Sequence, residues 1–246
     1  MNEKTARRKL GEFTEEYISS KMKREYEEGK ASFRINASKS ALLVVDMTIE
    51  FTKPQYTPLW VPEATKQVPK IKELIQICRD KAVPVIFTCF SSTPNAIDLN
   101  PYFKNRWTPA DRYDDYDGPL LLCTKESIDP KLEPDFNRDL IIEKTSYGAF
   151  TNSPLDYVLR NLGVDTVIIC GTKTNYCCGT TVREAHARGY KVVLGFDINS
   201  TDDLVLHEAE VKTVRRGFGL VLSQAQIIES LLGRGEFAEM RIAHKA

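Results

Sequence analysis

Histidine is scarce in this chain, net charge is absent, and no hydrophobic run is long enough to cross a bilayer. His186, His207 and His244 are the only imidazoles in 246 residues, which leaves little material for a multi-histidine metal centre. Lys+Arg and Asp+Glu both number 34, so the chain as a whole carries no field that would attract nucleic acid or an anionic membrane. No stretch reaches the ~18 consecutive apolar residues that read as a membrane span, and the opening "MNEKTARRKL" lacks the following apolar segment of a secretory signal. A cytoplasmic protein without nucleic-acid or membrane partners is expected. The six cysteines, Cys78, Cys89, Cys123, Cys170, Cys177 and Cys178, contain no C-x-x-C pair, and a reducing compartment would leave them as thiols.

The chain does have a regular alternation of apolar runs and amphipathic segments. In the charged first forty residues, Leu10, Phe13, Tyr17, Met22 and Tyr26 recur at roughly helical spacing, which predicts a helical extension over 1–37, packed on its own domain or on a neighbouring subunit. A single domain is expected over 38–246. There "ALLVVD", the helical "EATKQVPKIKELIQICRDKA" and "VPVIFTCF" form a β-α-β unit. Later come strand "LIIEK", helix "SPLDYVLRNLG", strand "TVIICG", a helix through "TTVREAHARGY", strand "KVVLGFD", helix "LHEAEVKTVRRGF", strand "LVLS" and helix "AQIIESLLG". Apolar strands without alternation, separated by helices, predict a three-layer α-β-α fold. Its central sheet is expected to be mostly parallel, about six-stranded and Rossmann-like. The interval 91–134 breaks this pattern with "NPYFKNRWTPADRYDDYDGP"; an aromatic-rich loop of that length reads as a binding loop or lid, or as a subunit contact.

Ligands of open parallel sheets bind beyond the carboxyl ends of the strands. Three chemically capable residues fall there: Asp46 closes "ALLVVD", Lys144 closes "LIIEK", and Cys177 follows "TVIICG". Singly, each has a plain structural explanation: a loop cap, a solvated ammonium, a small core residue. Together they suggest a nucleophilic thiol with a base and a cation. With a helix starting near Asn175, Cys178, Val182 and Ala185 share the face that packs on the sheet, so Cys178 reads as structural. Cys177 is rotated away and stays in the first turn, where unpaired N–H groups favour an anion. Lys144 is expected to depress its pKa further, with Asp46 taking the proton.

Three separated stretches, in order, carry a family resemblance. "LLVVDMTIEF", "EKTSYGAFTNSPLD" and "CGTKTNYCCGTTVREAHARGY" resemble the first-strand, lysine and nucleophile motifs of the isochorismatase-like cysteine hydrolases, over about residues 38 to 233. The resemblance implies a catalytic triad of Asp46, Lys144 and Cys177. It also implies a cis peptide between Thr172 and Lys173, and an oxyanion hole from the backbone N–H groups of Lys173 and Cys177. Two departures stand out. Thr48-Ile49-Glu50 replaces the usual Gln-Asn-Asp, and the Asp and two His that bind metal in nicotinamidases are not matched in "FTCFSSTPNAID". No metal and no cofactor are expected.

The helical extension and the missing metal ligands are most similar to the N-carbamoylsarcosine amidase branch and related ureido amidohydrolases. That branch implies hydrolysis of a C–N bond in a small carbamoyl, ureido or amide substrate, and a homo-oligomer, dimer or tetramer. A substrate carboxylate would call for an arginine, with Arg106, Arg112 and Arg216 as candidates. Phe51, Trp107, Tyr147 and Phe150 are candidate pocket walls. Two other readings are a vinyl-ether hydrolase of the isochorismatase type, which needs no cysteine nucleophile, and a non-catalytic binding protein on the same fold.

Overall fold

The computed structural model describes residues 11–91, 97 and 123–238; the stretch holding Arg106, Trp107 and Arg112, most of the expected lid, and His244 lie outside them. Six strands form one parallel sheet: β1 (Ser40–Val45), β2 (Val85–Phe90), β3 (Leu140–Lys144), β4 (Thr166–Thr172), β5 (Lys191–Ser200) and β6 (Leu220–Leu222). Their order is β3-β2-β1-β4-β5-β6. The chain thus builds outward from β1 in one direction, returns, and builds outward from β4 in the other. The ends of β1 and β4 flank the point where the winding reverses, which is where an open α/β sheet leaves a crevice.

Every residue of β1, β2 and β4 is buried, as a sheet covered on both faces requires. One face packs under α3 (Pro62–Asp80), which follows the short α2 (Ile49–Thr52), and under α7 (Gln224–Leu231), with Leu42, Val44, Ile71, Leu74 and Ile227 fully buried. The other packs under α4 (Leu155–Asn161), α5 (Gly179–Ala187) and α6 (Leu204–Gly217), with Leu43, Ile169, Cys178, Val182 and Ala185 fully buried. The Cys178/Val182/Ala185 stripe is therefore where its spacing puts it. Each fully buried Leu, Ile or Val among these contributes about 1.5–3 kcal/mol relative to exposure. Helix α1 (Glu15–Glu28) buries no residue and lies on α6 of its own domain, held where Arg216 meets Glu25 at 3.3 Å and stacks 4.9 Å from the Tyr26 ring.

At the crevice, β4 departs from regularity. The β4–β5 register shifts between Ile169 and Gly171, and Asn199 Nδ2 donates to Ile169 O at 2.8 Å and to Gly195 O at 2.7 Å, satisfying carbonyls that the bulge leaves out of the ladder. Gly171 has φ +120°, and a Cβ there would lie 2.0 Å from Val45 O. Only glycine allows β4 to run this close to the end of β1.

Candidate active site

Asp46, one residue past β1, takes a left-handed backbone conformation with φ 49°, one that aspartate tolerates better than most residues. Its carboxylate is fully buried and held from two sides. Thr88 Oγ1 on β2 donates to Oδ1 at 3.0 Å, and Lys144 Nζ donates to Oδ2 at 2.7 Å. Lys144 is the last residue of β3, two strands from β1 in the sheet, a separation of about 9.6 Å at the usual strand spacing. A lysine stem spans that gap, which an aspartate or serine at the same position would not. Nζ also donates to Ser146 O at 3.1 Å and sits 5.0 Å from the centre of the Phe90 ring.

Cys177 enters from the far side of the switch point. The Thr172–Lys173 peptide is cis. The chain then forms a wide π-type turn over Thr174–Cys178 before α5 begins at Gly179, rather than a regular helix from Asn175. In that turn Lys173 O accepts from the N–H groups of Tyr176 and Cys178, both at 3.1 Å, and Cys177 O accepts from Thr181 Oγ1 at 2.6 Å. Six per cent of the Cys177 residue is exposed, against 1% or less for each of the other five cysteines. Its S–H faces the Asp46 carboxylate and the backbone N–H of Lys173.

The electrostatics correct one expectation. Burial, followed by the neighbouring Asp46 anion, pushes the Cys177 thiol up to about 12, and Lys144 and the Lys173 N–H only partly oppose this. The resting sulfur is a neutral thiol beside an ionised Asp46–Lys144 pair, not a thiolate stabilised by a helix end. The physical reason is burial first, which penalises the thiolate, and the Asp46 anion second, whose repulsion outweighs the attraction of the Lys144 ammonium bonded to it at 2.7 Å. Burial disfavours the Lys144 ammonium too, but Asp46 and Cys177 more than offset it and the lysine pKa is raised. A proton can pass from sulfur to Asp46 when a substrate displaces the balance, which is the geometry of a base-assisted nucleophile.

The other expected site residues separate. Tyr147 packs at 6.1 Å from Phe90 and 5.2 Å from Tyr176, forming an aromatic wall that runs from the buried ammonium to a ring that is 43% exposed. Phe51 is buried in the core beneath α3. Phe150 is also core, 5.7 Å from Tyr190 with the Arg188 guanidinium over its face, because the turn after β3 is tied to α5, where the Phe150 N–H donates to Glu184 Oε2 at 2.9 Å. Arg216 is at the end of α6 remote from the site and is committed to α1, so it holds the extension instead of a substrate.

The two described histidines are engaged elsewhere: His186 Nδ1 lies 3.1 Å from Phe218 O and His207 Nδ1 lies 2.9 Å from Thr174 Oγ1. With one further histidine in the chain, a site needing two free imidazoles does not fit these residues. Among the described residues no three His, Cys, Asp or Glu side chains group as metal ligands would.

Sequence reasoning passed over Thr88, Phe90 and Tyr176, and read His207 only as a surface or packing residue of its helix. Thr88 had a signal: it is the one hydroxyl in the apolar run "VIFTCF", and a buried hydroxyl needs a partner.

The chain is similar to known proteins over most of its length. The chain is 30% identical over 217 residues to Nicotinamidase 3 of Arabidopsis thaliana, covering 88% of this chain and 100% of that one. A cysteine hydrolase from Pseudomonas syringae pv. phaseolicola superposes with a TM-score of 0.72 at 29% identity, over 82% of this chain and 96% of that one. N-carbamoylsarcosine amidase from Thermoplasma acidophilum superposes with a TM-score of 0.59 at 27% identity, over 76% and 96%. The isochorismatase domain family matches residues 40–226, a span that holds Asp46, Lys144 and Cys177, and the chain belongs to that family of hydrolases.

Proposed function

We propose that this protein is a cysteine amidohydrolase that cleaves the C–N bond of a small carbamoyl, ureido or amide substrate and releases ammonia. The observation that carries the reading is the convergence of Cys177, Asp46 and Lys144, from the ends of three different strands, at the switch point of the sheet. In the proposed cycle Asp46 accepts the Cys177 proton as sulfur attacks the carbonyl carbon, and the Lys173 and Cys177 N–H groups receive the developing oxyanion. Collapse breaks the C–N bond while Asp46 returns the proton to the leaving nitrogen, giving ammonia and a thioester. Asp46 then deprotonates water for attack on the thioester, the C–S bond breaks, and the proton goes back to sulfur. Lys144 remains an ammonium throughout and balances the charge on Asp46.

The names of two similar proteins point to the same bond class, an aromatic amide in one and an N-carbamoyl group in the other. The commitment of His186 and His207 to other contacts favours a route that uses no metal. Ammonia release from nicotinamide, N-carbamoylsarcosine, other N-carbamoyl amino acids and simple ureides, measured with chelator present, tests the reading. Release by the wild-type protein and none by Cys177→Ser supports it. Equal release by both variants would refute the cysteine mechanism, and a wild-type protein silent on every C–N substrate while opening a vinyl ether would replace it with the isochorismatase reaction.

A further inference from the structure

The three residues after the cis bond are each tied by a side chain to the segment that leads from β5 into α6. Lys173 Nζ meets Asp202 Oδ2 at 2.6 Å, Thr174 Oγ1 meets His207 Nδ1 at 2.9 Å, and Asn175 Oδ1 accepts from Thr201 Oγ1 at 2.7 Å. These ties are unequal. The Lys173–Asp202 pair is 21% and 53% exposed, where solvent screening leaves an ion pair weak. Thr174 is fully buried, so its hydroxyl has no water to replace a lost partner.

Thr174 also governs the shape of the turn that carries Cys177, because its carbonyl oxygen accepts the Gly179 N–H that closes the wide ring. Its partner His207 stands on the face of α6 that also holds Glu210, Val211 and Val214. Val214 is fully buried in the core, and Glu210 makes a two-pronged ion pair with Arg183 of α5. Glu210 also packs so tightly against Gly179 that a Cβ there would lie 2.3 Å from Oε1. One rigid helix face thus grips the turn at its start through His207 and at its end through Glu210.

The histidine suits an acceptor role. Burial lowers its pKa, so the ring is neutral near pH 7, and the Phe196 backbone carbonyl favours an N–H on the ring. A carbonyl can only accept, and with the ring N–H on Nε2 the Nδ1 atom accepts the Thr174 hydroxyl proton.

We propose that His207, acting through the Thr174 hydroxyl, is a positioning residue for the Cys177 sulfur, holding the π-turn in the shape that buries the thiol against Asp46 and the Lys173 N–H. This rests on the reading of Cys177 as the nucleophile. Release of the turn moves the sulfur toward water and away from the Asp46 anion, and both changes bring its titration back toward that of an ordinary thiol.

The test is the pH dependence of iodoacetamide addition to Cys177, followed site by site by peptide mass spectrometry in full-length protein. Thr174→Val, which keeps the shape and removes the hydroxyl, and His207→Leu are each expected to lower the midpoint by about one pH unit or more. At pH 8 they should therefore label Cys177 roughly tenfold faster, together with a moderate loss of thermal stability from the buried polar group left without its partner. Thr174→Ser and His207→Asn retain hydrogen-bonding groups near the original positions and are expected to keep the wild-type midpoint. The double variant Thr174→Val/His207→Leu should shift it no further than either single one. His186→Leu removes a comparable histidine contact on α5 and should leave it unmoved.

A midpoint within a few tenths of a unit of wild type in both Thr174→Val and His207→Leu would overturn the proposal. So would shifts that simply add in the double variant, or a shift of equal size in His186→Leu. Turnover retained by Cys177→Ser is a different failure: it would remove the nucleophile itself, whatever the titration shows, and this inference with it.

Discussion

Lys144 Nζ lies 2.7 Å from Asp46 Oδ2 with both side chains wholly out of solvent. A buried ion pair of this kind is held by mutual dependence, because either partner left alone is an uncompensated charge in a poor solvent. Lys144→Met and Asp46→Asn should each abolish turnover and each cost about 3–5 kcal/mol of stability. The double variant should be inactive but less destabilised than the sum of the two, since no orphan charge remains. Urea unfolding of the four proteins measures the coupling, and strictly additive losses would show that the pair is not a unit.

The two adjacent thiols should behave differently. Cys177→Ser and Cys177→Ala are expected to lose turnover on any substrate the wild type hydrolyses, by a factor of at least about 10³, with little change in unfolding midpoint. Cys178 is fully buried beneath the sheet-facing side of α5, so Cys178→Ala should retain kcat within a fewfold and lose about 1 kcal/mol by cavity formation. Parallel kinetics and denaturation decide the assignment, and it would be reversed if Cys178→Ala were the inactive variant.

How much of this could be read beforehand depends on what each feature rests upon. The strand and helix segments were legible because burial on two faces forces unbroken apolar runs, as in "TVIIC". Asp46 and Lys144 were legible as polar residues ending such runs. The strand order was not, because it is set by crossover packing and no single residue encodes it. The protonation of Cys177 was misjudged for the same reason: Asp46 and Lys144 are separated by 98 positions in sequence, and nothing in the sequence says that the thiol beside them will be buried. Phe150 reads equally as pocket wall or core packing, and its N–H on Glu184 Oε2 goes with the core; His207 reads as a surface or packing residue, because a lone histidine in an amphipathic helix carries no sign of the turn it packs against.

Gly171 should not accept a side chain. Its φ of +120° is unfavourable for any L-residue, and the Cβ would collide with the Val45 carbonyl one residue before Asp46. Gly171→Ala is expected to cost at least about 3 kcal/mol and to impair turnover in whatever folded protein remains, since the strain falls between β1 and β4 beneath the site. Circular dichroism melts together with ammonia release check this, and a variant with wild-type stability and activity would mean that the two strands do not run as close as the structure has them.

Stability should fall at alkaline pH through the buried thiols. Burial raises Cys78 and Cys177 from 9.0 to about 12 and also raises Cys89, Cys123, Cys170 and Cys178 well above the ordinary thiol range. Above pH 9 the unfolded chain gives up thiol protons that the folded chain keeps, so the folded state binds more protons and stability declines as pH rises. The stabilisation is whole below pH 9 and is lost progressively toward pH 12, at about 1.4 kcal/mol per pH unit for each thiol that stays protonated only in the fold. Cys170 is the cleanest probe: it is fully buried in β4 and its sulfur touches only the core and, at 3.6 Å, the Leu43 carbonyl. Between pH 8 and 10.5 Cys170→Ala should lose roughly 2 kcal/mol less than the wild type, although it starts less stable because of the cavity. Urea titrations at the two pH values measure this difference of differences, and parallel curves for the two proteins would mean that the Cys170 thiol ionises as readily in the folded chain as in the unfolded one.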